Sequence, residues 1–420
     1  MKKVLLMDMY STIHVGNGAL LENTINLCEQ AWGECDFSIV TMDKETNKLK
    51  YKSESLYNPM FGNFWFGKGR FNKVWWAFKQ CIFMIMHIIN ETTVKSRSDR
   101  LTFTSDQRDL IRAIEESDVC VSSNGEMLAD TFYQMLPFWL FTYWLASKRG
   151  KPLVIFPQSI GPLKMRWTRL LLKWALKDAF VLAGRDKPSY ETLISLGFER
   201  ERIMFVPDVA VQQKVADGDV HDYFLDKSRK VVGITISNPP HREMGISVDF
   251  VEEIGRQIER LDPSVYKILI MPSNYEINKV SLDYALCLRL QKRLATKIEV
   301  SVLENRAYFP GEFSALLSQL DFFVSTRMHV LILATTVGTP TIGINTQRKI
   351  RGYMENVGME HFCVDYSEIN NIYSLMLEVI SKRENIAKSL KEANKELRNK
   401  QEPFIRKLRK ISSRHLEGNV

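Results

Sequence analysis

The sequence has few cysteines, and none is placed as a zinc ligand. The six are Cys28, Cys35, Cys81, Cys120, Cys287 and Cys363. They form no C-x-x-C pair, and none has a histidine at zinc-finger spacing. Most lie in apolar stretches, where a free cysteine behaves as a small hydrophobic residue. We therefore expect a reducing compartment and no metal site.

Long apolar runs are also scarce. The two candidates, 74–90 and 132–146, are interrupted by charged or polar residues or by proline, and both are shorter than the roughly 20 apolar residues of a membrane span. Buried helices are the favoured interpretation, and aromatic helices lying on a membrane surface are the alternative. The N-terminal apolar run stops at Asp8, which predicts a first strand rather than a signal peptide. We expect a cytoplasmic location, with peripheral contact at the inner face of the membrane left open.

Several catalytic motifs are missing as well. The chain has no complete Walker A sequence, no H-E-x-x-H and no G-x-S-x-G. Without a full G-x-G-x-x-G, a dinucleotide site has little support. No repeat of solenoid period is present either, so a repeat architecture is excluded.

The composition is that of a globular protein with two domains or one large one. The chain has 420 residues, of which 45% are hydrophobic and 25% charged. Its net charge of +8 favours anionic partners such as nucleic acid, anionic lipid or phosphorylated small molecules. Charge alone does not choose among these partners, and the sequence does not give the oligomeric state.

Short apolar segments alternate with helical patterns along most of the chain. The predicted strands are 3–8, 37–42, 119–123, 152–157, 179–184, 202–208, 230–236, 267–272, 321–326 and 340–344. The predicted helices include 106–117, 167–179, 189–197 and 247–261. This alternation is typical of βαβ units and parallel sheets, so we predict an α/β fold of two Rossmann-like domains facing across a cleft.

The polar run 211–229 is the best candidate for a boundary. We predict an N-terminal domain over 1–215 and a C-terminal domain over 230–381. The segment 382–420 is rich in Lys, Arg and Glu, and we interpret it as a solvated, salt-bridged helical segment.

Arg327 and His329 lie where a predicted strand gives way to a helix. Ligands of parallel sheets bind beyond the carboxyl ends of the strands, and a helix N-terminus attracts anions. Arginine can hold a carboxylate or phosphate by two bonds, and histidine can move a proton near neutral pH. Arg185 follows another strand and is placed to reach the same crevice, although a pairing with a nearby carboxylate is the simpler alternative.

Glycine-containing segments follow other strands. VGNGALLEN (15–23) and SSNGEMLAD (122–130) each join a predicted strand to a helix, where glycine lets backbone approach a ligand closely. FPQSIGPLK (156–164) ends a third strand with Gln158 and Ser159.

These segments, taken in order, resemble those of the polysaccharide pyruvyl transferases. The similarity runs from Asn17 to about Met359. Its motifs are Asn17–Gly18, SSNGEMLAD, PQSIGP (157–162), GRDKPSYETLISLG (184–197), VPDVA (206–210), STRMHVLILATTVGTP (325–340) and RKIRGYMENVGM (348–359). The chain departs from the family pattern at Ala19, where the family has Asp, and in having Ser-Asn-Gly in place of a glycine run.

The resemblance implies a GT-B-like fold and transfer of a pyruvyl group from phosphoenolpyruvate to two hydroxyls of a sugar. It implies no cofactor, no metal and no nucleic acid. The partners would be phosphoenolpyruvate and a saccharide acceptor, free or lipid-linked. The donor side would be the C-terminal domain and the acceptor side the N-terminal domain.

The residue roles follow from the same resemblance. His329, Arg327 and Arg185 would be catalytic, with His329 as acid or phosphate binder. Glu126 or Asp130 would serve as base. The substrate-binding candidates are Asn17, Gly18, Asn124, Gly125, Glu126, Gln158, Ser159, Ser325 and Lys349.

Two other functions stay open on the residues alone. One is a GT-B glycosyltransferase that uses a nucleotide sugar. The other is a non-enzymatic scaffold on a membrane surface, formed by 74–90, 132–146 and the basic C-terminal helix.

Overall fold

The computed structural model describes residues 1–44, 47, 54–57, 70–94, 101–123, 125–217, 222–224, 226–237, 249–275, 282–346 and 348–414. The chain divides into two units, each with its own parallel sheet. Unit 1 comprises Met1–Thr12, Leu20–Asp208 and Gln401–Val420, and unit 2 comprises Ile13–Ala19 and Val209–Lys400.

This division differs from the predicted bounds at both ends of the chain. Residues 13–19, expected with the N-terminal domain, pack in unit 2, because Val15 and Ala19 are buried in its core. Residues 401–420, expected in a separate segment, belong to unit 1.

Unit 1 is built on a seven-stranded sheet with the order β3-β2-β1-β4-β5-β6-β7. Its strands are β1 (Lys2–Met9), β2 (Cys35–Thr41), β3 (Glu54–Tyr57), β4 (Val119–Ser122), β5 (Leu153–Gln158), β6 (Val181–Gly184) and β7 (Ile203–Phe205). Its helices are α1 (Val15–Trp32, whose first turn lies in unit 2), α2 (Arg70–Ile89), α3 (Ser105–Glu116), α4 (Leu136–Lys148), α5 (Arg166–Leu176), α6 (Lys187–Ser195) and, at the end of the chain, a helix over Glu402–Arg414. All neighbouring strands pair in parallel.

Unit 2 is built on a six-stranded parallel sheet with the order β10-β9-β8-β11-β12-β13. Its strands are β8 (Lys230–Thr235), β9 (Tyr266–Ile270), β10 (Val300–Val302), β11 (Phe322–Ser325), β12 (Thr341–Asn345) and β13 (Cys363–Asp365). Its helices are α7 (Phe250–Ile258), α8 (Leu282–Leu294), α9 (Pro310–Ser318), α10 (Met328–Thr336), α11 (Arg348–Asn356), α12 (Ile372–Ser381) and α13 (Arg383–Asn399). The helix over Glu402–Arg414 is therefore α14.

All ten predicted strands are present, and the predicted α/β class is confirmed. The structure adds three strands that the sequence did not reveal, β3, β10 and β13. Each has only three or four residues and lies at an edge of its sheet. An edge strand has one neighbour and is only partly covered, so a short one carries little apolar signal.

The two apolar runs have different environments. Most of α4 is buried, from Leu136 to Ala146, as the buried-helix interpretation predicts. On α2, by contrast, Trp76 and Phe83 are buried while Trp75 and Phe78 are about half exposed. The buried-helix interpretation is wrong for that side of α2, because the helix is apolar on both of its faces. Among the described helices, none combines the length and the apolar character of a membrane span.

The C-terminal segment is more deeply packed than its charge suggested. In α13, Ile386, Leu390 and Leu397 are buried, and in α14 Phe404 and Leu408 are fully buried. The expectation of a solvated segment is wrong for these faces, because apolar residues recur at helical spacing between the charges.

The last helix, α14, completes unit 1. The ring of Phe404 meets that of Phe156 on β5 edge-on, with 5.0 Å between centroids. The indole Nε1 of Trp32 donates to the Leu408 carbonyl at 2.9 Å. The side-chain amide of Gln401 donates to the carbonyls of Pro207 and Asp208 at 3.0 and 2.9 Å.

Phe404→Ala is expected to lower the free energy of unfolding by about 3–5 kcal/mol, because it leaves a cavity against Phe156. Chemical denaturation followed by far-UV circular dichroism measures this change. Lys410→Ala on the exposed side of α14 is the matched control and should stay within about 0.5 kcal/mol of wild type. Equal stability of the two variants would show that α14 is not part of the unit 1 core.

Candidate functional site

Each sheet has one point where the chain reverses its direction of travel across the strands. In unit 1 this point lies between β1 and β4, and in unit 2 between β8 and β11. Ligands of open parallel sheets bind in the crevice beyond the carboxyl ends of the strands at such a point. In this protein, a cluster of polar side chains lies at each of the two points.

In unit 2, Arg327 begins α10 directly after β11. Its backbone N–H donates to Ser325 Oγ at 3.0 Å, which ties the start of the helix to the end of the strand. Its Nη2 is paired with the buried carboxylate of Asp283, whereas its Nε is buried without a hydrogen bond to any described residue. The side chain of Arg327 is 36% exposed. Its guanidinium, held by Asp283, is therefore partly open to solvent at a helix N-terminus, where anions bind.

His329 lies in the first turn of α10, as predicted, and α1 starts against it. A Cβ added to Gly16 would be 2.6 Å from the Cβ of His329. Glycine is therefore required at position 16 for α1 to approach this closely. The predicted pair of Arg327 and His329 is brought together with the first turn of α1.

His14 is a third member of this group, and it was not among the residues predicted from the sequence. Its backbone bridges to Asn274, and Val15 N donates to the Ser273 carbonyl at 3.0 Å. Burial, and after it the charges of Arg327 and His329, lower the pKa of His14 to about 3. His14 is thus a neutral imidazole at physiological pH. Its position between the first strand and the first helix was the signal that could have revealed it.

Thr326 connects three strand ends beneath this group. Its Oγ1 accepts from Ser237 N at 2.9 Å, after β8. Its carbonyl accepts from Thr346 Oγ1 at 3.2 Å, after β12. These bonds hold the backbone immediately before Arg327 in place. Ser325 is fully buried and acts here by positioning Arg327 N.

The other predicted residues of unit 2 lie on helices. Asn17 and Gly18 are part of the first turn of α1, so the prediction of a glycine loop at 15–23 is wrong: the helix already begins at Val15. Gly18 N donates to the His14 carbonyl at 3.1 Å, which is a helical contact. Lys349 is half-buried in the first turn of α11, just after β12.

In unit 1, Asp8 is the buried carboxylate at the reversal point. It accepts from Ser122 Oγ at 2.7 Å, from Ser123 N at 3.2 Å and from the hydroxyl of Tyr143. Burial raises the pKa of Asp8 to about 6 despite these donors. From the sequence, Asp8 was interpreted only as the end of an apolar run. An acidic residue at the end of a predicted strand could also have indicated a functional site.

Glu126 and Asp8 both act on Tyr10, whereas Asp130 has a structural role. Burial, Glu126 and Asp8 together raise the pKa of Tyr10. Asp130 accepts from Met165 N at 2.9 Å and from Thr168 Oγ1 at 2.6 Å, and so holds the start of α5 in place. These hydrogen bonds do not favour the predicted role of Asp130 as the base.

The carbonyl of Gly125 accepts from Ser159 N at 3.1 Å, whereas Asn124 lies outside the described residues.

Arg185 is buried inside unit 1, and the prediction that it reaches into a crevice is wrong. Its Nη1 pairs with Asp208 at 2.8 Å, and its Nε donates to Ser159 Oγ at 2.9 Å. Both members of the ion pair are about 95% buried, with 3% and 5% of their side chains exposed. The simpler alternative, a pairing with a carboxylate, is the one that the structure contains.

Ser159 and Gln158 are part of the same network. Ser159 Oγ donates to Asp186, which in turn caps α6 by accepting from Ser189 N at 2.8 Å. Gln158 is fully buried, and its amide donates to Ser122 Oγ at 3.2 Å. The predicted residues at the ends of β5 and β6 are therefore joined by hydrogen bonds, and Gln158 connects them to the Asp8 cluster through Ser122.

Asp8→Asn is expected to gain stability relative to wild type as the pH rises. The folded protein binds the proton of Asp8 between pH 3.8 and about 6, whereas the unfolded chain does not. The stabilisation by Asp8 is therefore complete below pH 3.8 and is lost as the pH rises through 6, a change of about 3 kcal/mol. Denaturation at pH 4.5 and 7.5 measures about 2 kcal/mol of this change, because part of the stabilisation is already lost at pH 4.5. The exposed Asp36→Asn on β2 is the control, and an equal pH response of the two variants would contradict the assignment.

Gly16→Ala is expected to destabilise unit 2 by about 1–3 kcal/mol, because its methyl group would collide with His329. Gly352→Ala on α11 is the control: a Cβ there meets nothing within 4 Å, and a gain of up to about 1 kcal/mol is expected from helix propensity. Urea denaturation compares the two. A Gly16→Ala protein as stable as Gly352→Ala would mean that α1 and His329 are not in close contact.

Comparisons with known proteins agree with the two-sheet fold. The amylovoran biosynthesis protein AmsJ of Erwinia amylovora is 20% identical over 377 residues, covering 87% of this chain and 89% of AmsJ. S. aureus MnaA in complex with UDP has a TM-score of 0.57 at 12% identity, over 94% and 91% of the two chains. Anabaena HepE with UDP and glucose has a TM-score of 0.54 at 13% identity, over 99% and 100%. At this identity the solved structures establish the fold, and they confirm the predicted GT-B-like class.

A sequence profile of the family described as polysaccharide pyruvyl transferase matches residues 14–348. The match begins at His14 and includes the Arg185–Asp208 pair, Arg327 and His329. It also covers far more than half of the 420 residues. The chain therefore belongs to the polysaccharide pyruvyl transferase family.

Proposed function

We propose that this protein transfers a pyruvyl group from phosphoenolpyruvate to a sugar of a cell-surface or exopolysaccharide precursor, forming a cyclic pyruvate ketal. The observation that carries the proposal is the group of Arg327, His329 and His14 at the reversal point of unit 2. Family membership and the similarity to a protein of amylovoran biosynthesis support a transferase of polysaccharide biosynthesis.

The group of Arg327, His329 and His14 suits the chemistry of the donor, phosphoenolpyruvate. Phosphoenolpyruvate carries a carboxylate and a phosphate, and a helix N-terminus with an arginine fork attracts both. Arg327 is oriented by Asp283 and by the bond of its backbone to Ser325. We assign Arg327 to the donor anion and Lys349, at the start of α11, to a supporting charge.

The reaction balances without a redox partner. A proton adds to the methylene carbon and makes the methyl group, which leaves C2 electrophilic. One sugar hydroxyl forms a C–O bond to C2 and gives up its proton. The C2–O bond to phosphate breaks, and a second hydroxyl closes the ring as its proton is released. The products are the ketal and inorganic phosphate.

We assign the proton transfer or the binding of the phosphate to His329, since an imidazole can do either. His14 stays neutral and can donate its N–H or accept a hydrogen bond, because burial, and after it the charge of Arg327, keeps its pKa low. We propose neither a metal nor a cofactor, because protonation alone activates the enol.

We assign acceptor binding to Glu126 and to the segment around Gly125 in unit 1, close to Asp8 and Tyr10. The acceptor is a saccharide, free or lipid-linked, and not a nucleic acid. We propose a cytoplasmic location with peripheral contact at the inner face of the membrane.

Phosphate release from phosphoenolpyruvate, with and without a panel of sugar acceptors, tests the reaction. Mass spectrometry should then find the pyruvyl adduct on the best acceptor. Acceptor-dependent release with the adduct is the expected result. Transfer from a nucleotide sugar, with no release from phosphoenolpyruvate, would instead establish the alternative glycosyltransferase.

Arg327→Lys is expected to lower kcat/KM for phosphoenolpyruvate by about 100-fold or more, because a charge remains but the bidentate fork is lost. Arg351→Lys is the matched control, since Arg351 is 34% exposed and pairs with Asp365 at 2.9 Å in the same unit. Both variants should unfold at similar temperatures. A kcat/KM for Arg327→Lys equal to that of Arg351→Lys would remove Arg327 from the donor site.

A further inference from the structure

The helix α2 presents apolar side chains on its exposed side. The exposed fractions are 65% for Val74, 51% for Trp75, 52% for Phe78, 56% for Ile85 and 53% for Ile89. Cys81, also exposed, lies among them. Positions 74, 78, 81, 85 and 89 follow the helical period, so they form one stripe, which we name the α2 face. At 1.5 Å per residue the stripe is about 22 Å long.

The opposite side of α2 is firmly packed in unit 1. The ring of Trp76 lies 5.5 Å from that of Phe138, and that of Phe83 lies 5.6 Å from that of Phe141. The buried Gln80 accepts from the side-chain amide of Gln107 at 2.9 Å. Because this side already supplies the core contacts, the α2 face is not needed to hold the helix in place.

The charges in this part of the sequence are of one sign. Between Glu54 and Glu91 the chain has no acidic residue. The same interval contains four basic residues, of which Lys73 and Lys79 have described side chains on α2. The ammonium group of Lys79 lies 5.5 Å from the centre of the Trp75 ring. A tryptophan beside a lysine on an apolar stripe is the combination that favours the boundary between lipid headgroups and acyl chains.

We propose that the α2 face docks on an anionic membrane surface, with α2 lying in the plane of the bilayer. Trp75, Phe78 and Ile85 would enter the headgroup region, and the basic residues would attract anionic lipid. A second copy of the chain is a poorer occupant, because a two-fold contact would bring the same basic residues of the two copies, Lys73 and Lys79, toward one another.

The α2 face is the surface through which the protein would make its proposed peripheral membrane contact. The proposal rests on that location and not on the pyruvyl transfer reaction. A membrane that carries a lipid-linked saccharide would bring acceptor and enzyme together. Lipid binding and phosphate release can be measured separately, so either proposal can fail without the other.

Cys81 provides a reporter at the centre of the α2 face. It is exposed, whereas Cys28, Cys35, Cys120, Cys287 and Cys363 are buried, so an environment-sensitive thiol dye should label it selectively. We expect a blue shift and a several-fold rise in emission with phosphatidylcholine vesicles that contain phosphatidylglycerol. The response should be weaker without the anionic lipid and should fall with added salt.

A set of substitutions locates the contact. In a vesicle flotation assay, the unlabelled triple variant Trp75→Ser, Phe78→Ser, Ile85→Ser should bind anionic vesicles at least about tenfold more weakly than wild type. The matched control is Trp167→Ser, Leu170→Ser on α5, where the residues are 42% and 70% exposed, and it should bind as wild type does. The triple variant should have a far-UV circular dichroism spectrum and an unfolding temperature close to those of wild type, which shows that it is folded.

Three outcomes would overturn the inference. One is wild-type protein that does not bind anionic vesicles, and another is a triple variant that binds as tightly as the control. The third is a dimer in sedimentation velocity that the triple variant abolishes, together with no lipid binding, since the α2 face would then be covered by a second copy.

Discussion

Parallel pairing of every strand is the constraint from which the candidate site follows. It places the carboxyl ends of all strands of a sheet at one edge, so residues far apart in sequence become neighbours there. Ser237, Thr326 and Thr346 meet in this way in unit 2. Asp8 and Ser122 meet in unit 1, 114 positions apart. The chemistry of each cluster depends on this geometry more than on any local motif.

Satisfying buried charge is the second requirement at these edges. The Arg185–Asp208 pair joins two of the motifs that carry the family resemblance, and Gln401 binds the backbone beside Asp208. A buried guanidinium needs such a partner because desolvation of a lone charge is costly. Arg327 differs, since it is partly exposed with one nitrogen on Asp283. Two arginines in similar sequence positions thus have different roles, one holding the fold and one facing outward.

The sequence was sufficient for the class of fold and the central strands, because those strands are continuous apolar runs bounded by turns. It did not reveal β3, β10 or β13, whose few residues carry too little apolar signal. The sequence left open whether Arg185 is buried or reaches a crevice, since its partner Asp208 is 23 positions away on another element. His14 was missed because only folding places it beside Arg327 and His329. The candidate site was therefore predicted in its core, Arg327 with His329, and not in its surroundings.

Membership of α14 in unit 1 has a consequence for synthesis of the chain. The ribosome makes Met1–Asp208 first, then Val209–Lys400, which is all of unit 2 except Ile13–Ala19, and only afterwards the helix that packs against Phe156 and Trp32. The apolar side of unit 1 beneath α14 is therefore uncovered throughout the translation of some 190 residues, about ten to forty seconds at ordinary elongation rates. A chain that stops before Gln401 would carry that uncovered surface permanently, which would make it a substrate for chaperones and proteases.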